Sequence, residues 1–453
     1  MDRPIQNDEC LKGLSPNGFL EKKDIILPPA DRLPIPDTTP ATVISNNRLT
    51  ADDHWQDVRY IKLWIKDLVK YQPGDIITIY PKNFPEDVEG LIQLMGWTDV
   101  ADKPLVFRTT ATSNLKETSI PPIANLYPVR NPTLRSLLIH NLDITAIPRR
   151  FFFEIISKFT ENLMHRERLL DFTNPAFTDE FFDYTSRPRR SMLEVLHDFP
   201  SVRIPWKFVP YIFPVLRGRQ FSIASGGYNK HSMDNCTEVE ICVAIVKYQT
   251  VLKKVRQGVC SRYLSSLACG TIINVSFHIG NFRYDSDDAQ KPVLMIAPGT
   301  GIAPMRSLSW ERSMFADLWG RHSDPQKGLI TGKAVLIFGG RNFDKDYLFR
   351  DEWESLGLDV QVLTAFSRDQ KEKRYVQDVI RENAMLVYDM LVKQGAKVYI
   401  CGSSGKMPMA VRQALLDAFV ERGRAEDWKF TEKMAEEILV GIEKEGRYVQ
   451  DTW

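Results

Sequence analysis

The stretch from Val293 to Arg306, VLMIAPGTGIAPMR, constrains the fold more than any other part of the sequence. Its first five residues are all apolar and predict a strand that is buried on both faces. Gly299 and Gly301 then break the strand, and Pro304 stands where the first turn of a helix can begin. Such a strand–turn–helix points free backbone N–H groups at one place, which suits a phosphate. The competing interpretation is an ordinary strand–helix connection, because the stretch matches neither common nucleotide fingerprint.

The same alternation of strands and helices continues to the end of the chain. Further strands are predicted at Ala334–Gly339, Val360–Phe366 and Val398–Cys401, and a helical stretch follows each of them. Such alternation is typical of a Rossmann-like, doubly wound and mainly parallel sheet.

A different pattern precedes this α/β part. Alternating apolar residues and turn signals predict an antiparallel β-barrel or sandwich, with strands at Ala41–Leu49, Val58–Ile65, Ile76–Tyr80, Arg219–Ser225, Glu238–Tyr248 and Thr271–Ile279. Between about residues 84 and 204 the apolar spacing is helical, and Ser191 to Glu194 form a capping box. We therefore predict a linker or tail over 1–40, a β domain over 41–285 with a helical insertion at about 84–204, and a Rossmann-like domain over 286–453.

Composition excludes several classes of function. Lys and Arg number 59 against 58 Asp and Glu, which gives a formal net charge of +1. A charge this small does not draw the chain to nucleic acid. No apolar run reaches the roughly 18 residues of a membrane anchor, and the first residues lack a signal-peptide core. The six cysteines and seven histidines show neither disulfide nor zinc-site spacing. These patterns predict a cytoplasmic protein without a structural metal.

Two short motifs in the β domain suit a flavin nucleotide. Arg219 can neutralise a pyrophosphate, Phe221 can stack on a planar ring, and Ser222 can bond a ring nitrogen. Gly258–Ser261 opens a helical run and again offers free N–H groups to a phosphate. Taken alone, these two motifs are better explained by a solvent-facing arginine on a barrel strand and by a plain helix cap.

Ser367 and Arg368 directly follow the third predicted strand of the α/β part. A Rossmann-type site for NAD usually carries an acidic residue for the ribose 2′-hydroxyl, whereas an arginine suits the 2′-phosphate of NADP. Lys373 and Tyr375 lie a few residues further on, so charge-assisted bonds favour NADPH. Asp369 also lies here, where a carboxylate can simply be solvated.

The order of these motifs resembles the reductase half of diflavin reductases in the ferredoxin–NADP reductase superfamily. More narrowly, residues 131–150, 187–200 and 406–408 are similar to those of the NADPH-dependent diflavin oxidoreductases of cytosolic iron–sulfur assembly. The likeness runs from about Pro28 to Trp453. It implies an enzyme that passes electrons from NADPH to FAD, then to FMN on a flavodoxin-like domain, and on to an anamorsin-type iron–sulfur protein.

The resemblance also implies roles for individual residues. FAD would be held by Arg189, Arg219, Gln220, Phe221, Ser222, Gly258, Val259, Cys260, Ser261 and a stacked Trp453. NADPH would be held by Thr300, Ser367, Arg368, Lys373, Arg374, Tyr375, Val376 and Gln377. Ser222 and Asp451 would assist at the flavin by hydrogen bonding and proton handling.

The sequence departs from the family pattern at four positions, Phe221, Gly340, Ser403 and Ala410. Ser403 and Ala410 put in doubt a simple transfer of the proton relay of the microsomal members. A larger expectation concerns the flavodoxin-like domain, for which no room exists before Ala41. The chain would then be a fragment or a natural single-flavin protein. A free-standing NADPH:acceptor reductase and a non-catalytic nucleotide-binding scaffold are the alternative functions.

Overall fold

The computed structural model describes residues 26–109, 116–118, 123–230, 236–249, 255–282, 284, 286–322, 331–353, 355–356 and 360–453. Residues 1–25 of the predicted tail lie outside this range. The described chain forms two compact units. The first comprises the described part of Met1–Thr38 with Ile79–Arg219 and Ile245–Leu267, and the second comprises Thr39–Thr78, Gln220–Ala244 and Ala268–Trp453. The domain bounds 1–40, 41–285 and 286–453 stay predictions.

The strands are β1 Thr39–Arg48, β2 Val58–Ile65, β3 Ile76–Ile79, β4 Phe107–Thr109, β5 Lys116–Thr118, β6 Arg219–Ser222, β7 Thr237–Ala244, β8 Lys247–Gln249, β9 Val255–Gln257, β10 Ile272–His278, β11 Val293–Pro298, β12 Ala334–Gly340, β13 Val360–Phe366, β14 Lys397–Gly402 and β15 Tyr448–Thr452. The helices are α1 Pro85–Met95, α2 Leu134–His140, α3 Arg150–Ile156, α4 Leu163–Asp171, α5 Thr178–Tyr184, α6 Met192–Asp198, α7 Val209–Ile212, α8 Val259–Ser266, α9 Ile302–His322, α10 Phe343–Asp346, α11 Val376–Glu382, α12 Ala384–Tyr388, α13 Met407–Glu426 and α14 Glu432–Lys444. Short 3-10 and π turns connect several of these elements.

The first sheet is a six-stranded antiparallel barrel with the strand order β6-β3-β10-β1-β2-β7. An antiparallel bridge between Ile223 and Ile241 joins the two ends of this order. On β2 the residues Ile61, Leu63 and Ile65 are fully buried, while the residues between them are half-buried. This alternation is what a strand with one face toward a core requires, and it confirms the predicted barrel.

The second sheet has five parallel strands in the order β13-β12-β11-β14-β15. Its centre is β11, whose residues Val293 to Ala297 are all fully buried. This confirms the predicted parallel sheet and its continuous apolar central strand. The strand β15 was not predicted, because Tyr448–Thr452 is short and has no apolar alternation of its own. It is ordered by its parallel pairing with β14.

The first unit contains the predicted helical insertion, α1 to α7, around an aromatic core. Phe153 and Phe172 are buried, and Tyr184 stacks on Phe172 with ring centroids 4.5 Å apart. The predicted capping box is present, since the Ser191 side chain accepts from the Glu194 N–H and the Glu194 side chain accepts from the Ser191 N–H. The β4–β5 hairpin is an addition to the prediction.

No helix in the described part of the chain combines the length and the apolar character needed to cross a membrane. Within the same residues, no group of three or more His, Cys, Asp or Glu side chains is arranged to hold a metal ion.

Candidate functional site

In the first unit, the predicted phosphate turn opens helix α8. Gly258 is the residue before the helix, and no side chain of the described residues caps the first turn. A Cβ on Gly258 would lie 2.9 Å from Ser261 Oγ and 2.9 Å from Val246 Cβ, so the close approach requires glycine. Ser261 Oγ accepts from the Val246 N–H at 3.0 Å and donates to the Gly258 carbonyl at 3.2 Å. The turn therefore offers its backbone N–H groups, rather than the Ser261 hydroxyl, to an anion.

Arg189 differs from the other arginines of its segment. Arg187 forms an ion pair with Asp183, and Arg190 forms one with Asp198. Arg189 is exposed, its φ of 49° is left-handed, and its guanidinium has no ion pair among the described residues. A left-handed conformation at a residue other than glycine is uncommon and often marks a functional site. Arg189 is thus the cation of this segment that remains available to an anionic ligand.

Arg256 on β9 joins the Arg189 turn to the Gly258 turn. Its Nε donates to the Pro188 carbonyl at 3.1 Å, and its Nη1 donates to Glu194 Oε1 at 2.5 Å. Arg256 stands two residues before Gly258. The structure therefore brings two predicted flavin segments together through a residue that the sequence analysis missed. No local motif marks Arg256, because its partners lie more than sixty residues away in the chain.

Arg219 and Cys260 also lie in the first unit. Arg219 is exposed, its Nη1 donates to the Arg217 carbonyl at 2.6 Å, and its Nη2 lies 3.8 Å from Asp143 Oδ2. Burial raises the pKa of the Cys260 thiol to about 12, although the charge of Arg219 acts in the opposite direction. Cys260 therefore stays a neutral thiol and contributes packing and a backbone N–H.

The three residues that follow Arg219 on β6, which are Gln220, Phe221 and Ser222, belong to the second unit. Gln220 is exposed, whereas Phe221 and Ser222 are half-buried at the end of β6. The buried Ser225, just beyond, anchors this end of the strand, since its Oγ is 2.6 Å from the Tyr71 hydroxyl and accepts from a backbone N–H of β7. Phe221 and Ser222 thus keep part of their surface open next to a fixed strand end.

The predicted strand–turn–helix of the second unit is confirmed. β11 leads through a 3-10 turn, Gly299–Gly301, into the helix α9. Gly299 has a φ of 58°, and a Cβ on Gly301 would lie 2.1 Å from the Cys401 carbonyl oxygen. Both positions therefore require glycine. Thr300 is half-buried between them, next to the end of β14.

A cationic cluster lies where β12 and β13 end. Ser367 N donates to the Gly340 carbonyl at 3.1 Å, and Arg368 N donates to the Arg341 carbonyl at 2.8 Å. Burial lowers the pKa of Arg341, and the nearby charge of Arg368 acts in the same direction. Neither guanidinium has an ion pair among the described residues. Two unpaired arginines side by side are a favourable site for an anion such as a phosphate.

Arg341 was missed by the sequence analysis, although a signal existed. It directly follows β12, and β12 pairs with β13 in the parallel register Gly340 to Phe366. Residues that follow neighbouring parallel strands meet at one edge of the sheet. The carboxylate of Asp369 is also used here, since it accepts from Asn342 Nδ2 at 2.9 Å and from the Phe343 N–H at 2.7 Å.

The remaining residues predicted to hold NADPH fall into two groups. Lys373 and Tyr375 are exposed, and Lys373 has no ion pair in the described chain. Arg374 is already engaged, since it pairs with Glu382 at 2.5 Å and donates to the Thr364 carbonyl at 2.6 Å. On α11, Val376 is buried and Gln377 is half-buried.

Asp451 and Trp453 lie at the same edge of the parallel sheet. Asp451 is opposite Cys401 in the β14–β15 register. Trp453 N donates to the Gly402 carbonyl at 3.0 Å, and its own carbonyl accepts from Ser404 N at 2.9 Å. The backbone of Trp453 is therefore fixed, while about half of its side chain (53%) is exposed. Burial raises the pKa of Asp451, and a hydrogen bond from the Asn281 side chain offsets part of this rise.

Comparison with known proteins matches two successive stretches of the chain to two family models. A family model described as "FAD binding domain" matches residues 36–263, and one described as "Oxidoreductase NAD-binding domain" matches residues 295–413. Curated relatives named NADPH-dependent diflavin oxidoreductase 1 include those of Aspergillus fumigatus (50% identical over 426 residues), Emericella nidulans (47% over 427) and Schizosaccharomyces pombe (38% over 421).

These alignments cover 93%, 93% and 91% of the chain and 65% of each relative. The chain thus spans slightly less than two thirds of the length of the curated relatives that it matches. The FAD-binding match alone covers just over half of the 453 residues. The chain therefore belongs to the FAD-binding domain family, and an oxidoreductase NAD-binding domain follows its FAD-binding domain.

Proposed function

We propose that the chain is the reductase part of an NADPH-dependent diflavin oxidoreductase, with the domain bounds predicted above. Bound FAD supplies the chemistry that accepts two electrons from NADPH and releases them one at a time. The protein's own contribution is to bind, orient and surround the two nucleotides. The names of the relatives and the two family matches support this function.

The observation that carries the proposal is the position of Arg341 and Arg368, which have no ion pair among the described residues, beside Ser367 and Tyr375. Two like charges that approach each other repel, and a dianionic 2′-phosphate between them relieves that repulsion. NADH has no such phosphate, and Asp369, the acidic residue at this position, already accepts two hydrogen bonds. The cluster therefore favours NADPH over NADH. Lys373 adds a third cation, whereas Arg374 stabilises α11 through its ion pair with Glu382.

The FAD-binding residues that we propose are those predicted from the sequence, Arg189, Arg219, Gln220, Phe221, Ser222, Gly258, Val259, Cys260, Ser261 and Trp453. The Gly258 turn and Arg189 fit the pyrophosphate, because one offers free N–H groups and the other an unpaired cation. Arg256 is a further positioning residue for both. Phe221 and Trp453 offer half-exposed aromatic faces that suit a planar ring system.

Ser222 and Asp451 are our candidates for hydrogen bonding and proton handling at the flavin. A carboxyl group whose pKa lies above its ordinary value holds a proton closer to neutral pH, which is the property that a general acid needs. The Asn281 side chain and the β14–β15 pairing fix the position of Asp451. Ser403, just beyond β14, contributes no carboxylate there.

The acceptors belong to the same proposal. The word "diflavin" in the names of the relatives supports an FMN-binding flavodoxin-like domain as the first acceptor. We infer from the resemblance that electrons then pass to an anamorsin-type protein in cytoplasmic iron–sulfur assembly. This is tested by adding a separately produced FMN domain of a relative to the FAD-loaded chain. NADPH-dependent reduction of its FMN is expected. Reduction of FAD without reduction of FMN would identify a free-standing reductase instead.

A further inference from the structure

The loop between β1 and β2, residues 49–57, contacts the loop that carries Arg341. Both loops belong to the second unit. The Arg341 guanidinium lies over the Trp55 ring, 3.8 Å from its centroid. Two contacts involving Lys345 hold the loops together. Its Nζ lies 2.6 Å from Asp53 Oδ2, and its carbonyl accepts from the Ala51 N–H at 3.0 Å.

Hydrogen bonds and an ion pair hold the backbone on both sides of the stack between Arg341 and Trp55. Asp346 accepts from the backbone N–H groups of Arg341 at 2.9 Å and Asn342 at 2.7 Å, which fixes the turn that carries the guanidinium. The buried His54 places its Nε2 3.6 Å from Asp346 Oδ2. On the Trp55 side, Arg48 Nη2 donates to the His54 carbonyl at 2.7 Å. The contact between Trp55 and Arg341 is therefore supported by hydrogen bonds on both sides and is not a chance approach of two surface side chains.

The stack leaves the hydrogen-bonding edge of Arg341 free. A guanidinium can pack its flat face on an aromatic ring while its N–H donors point outward in the same plane. The Arg341 guanidinium donates no hydrogen bond within the described residues. The backbone carbonyl of Arg341 accepts from the Arg368 N–H. The two arginines that we assign to the 2′-phosphate are therefore linked by a backbone hydrogen bond as well as by the interaction of their charges.

We propose that Trp55 is a positioning residue for Arg341 and that the β1–β2 loop thereby sets the preference of the nucleotide site for a 2′-phosphate. This inference rests on the proposed function. Trp55 acts on the ligand through Arg341 and does not itself need to touch it. Without the ring, the long arginine side chain regains rotamer freedom, which must be lost again when the phosphate binds.

The test is equilibrium binding to the FAD-loaded chain, measured by calorimetry with two probes. Adenosine 2′,5′-bisphosphate carries the 2′-phosphate and adenosine 5′-monophosphate does not. Trp55→Ala should weaken binding of the bisphosphate by about three- to tenfold, the range expected when one rotamer-rich side chain must be ordered on binding, and leave binding of the monophosphate nearly unchanged. Trp55→Phe, which keeps an aromatic face, should restore most of the affinity.

Trp428→Ala is the matched control. Trp428 is also exposed and also carries a cation, Lys429, over its ring at 5.4 Å. It lies outside the proposed site, so neither probe should change. In an Arg341→Gln background, Trp55→Ala should cause no further loss, because the side chain that it positions is gone. Additive losses, or equal losses for both probes, would overturn the inference.

One outcome separates this inference from the proposed function. Wild-type protein that binds the two probes equally would overturn the NADPH assignment and the inference with it. A wild-type preference for the bisphosphate that survives in Trp55→Ala would overturn the inference alone. Thermal unfolding of each variant shows whether the loop mutations leave the fold intact.

Discussion

Arg306 is a buried, charged link between the barrel and helix α9, and its removal should strongly destabilise the protein. Its side chain is 3% exposed and contacts Glu240 on β7, which is 2% exposed, at 2.5 Å. It also pairs with Glu352 at 2.6 Å and donates to the Ala224 carbonyl at 2.8 Å. In Arg306→Met, the half-exposed Lys62, 2.8 Å away, is the one charged partner that Glu240 keeps among the described residues.

Leaving one member of a buried ion pair without its partner costs about 3–5 kcal/mol of unfolding free energy. For a unit of this size, that corresponds to a fall of roughly 6–20 °C in the unfolding midpoint. The matched control is Arg412→Met, since Arg412 also pairs with two glutamates but is 33% exposed. That substitution should cost less than about 1 kcal/mol. Calorimetry of both variants with bound FAD measures the difference.

The pH dependence provides a second test of the same reasoning. Burial raises the pKa of Glu240, but Arg306, Lys62 and Tyr60 outweigh it, so the pKa lies below its ordinary value. In wild type, the contribution of the ionised Glu240 to the free energy of unfolding is therefore present above the unfolded pKa. It is lost as the pH falls through the lower folded pKa. In Arg306→Met, the effect of burial on Glu240 dominates, so protonation of Glu240 removes the cost of burying its charge. The unfolding midpoints of the two proteins should therefore converge at acid pH. Equal midpoint losses for the Arg306 and Arg412 variants, or a gap that widens at acid pH, would refute the reasoning.

Three further predictions concern the ligands. Arg368→Ala should weaken NADPH by about ten- to a hundredfold, the range of one charge-assisted hydrogen bond, and leave NADH nearly unchanged; steady-state KM values check this, and equal losses would contradict it. Arg189→Ala should weaken FAD binding about tenfold in a titration of the flavin-free protein, whereas Arg187→Ala should not, because Arg187 already pairs with Asp183. Trp453→Ala should raise NADH-dependent turnover relative to NADPH if the indole covers the flavin; an unchanged ratio and flavin spectrum would show that it does not.

Local pattern was sufficient for most of the architecture. Val58–Ile65 was predicted with its observed bounds because alternating burial is a property of each strand by itself. The turn Gly299–Gly301 was recognisable because its glycines are required by backbone conformation and close approach. In contrast, β15 depends on hydrogen bonds from β14, so its own residues carry little signal.

The candidate site was less predictable, because sequence spacing does not show which charges are already paired. Arg374 and Arg368 look equally suited to a phosphate in the sequence, yet Arg374 is bound to Glu382 and Arg368 has no ion pair among the described residues. Arg256 and Arg341 were overlooked for a related reason. Each acts through partners that are distant in the chain, and only the folded structure brings those partners together.

The central claim is that this chain takes electrons from NADPH, in preference to NADH, onto bound FAD. The most direct measurement is the absorbance of the flavin in the purified, FAD-loaded chain after mixing with NADPH or NADH in the absence of oxygen. NADPH should bleach the flavin at a much lower concentration than NADH, and Arg341→Gln with Arg368→Ala should abolish that difference. A chain that binds no FAD, or whose flavin is bleached by neither nucleotide or equally well by both, would contradict the claim.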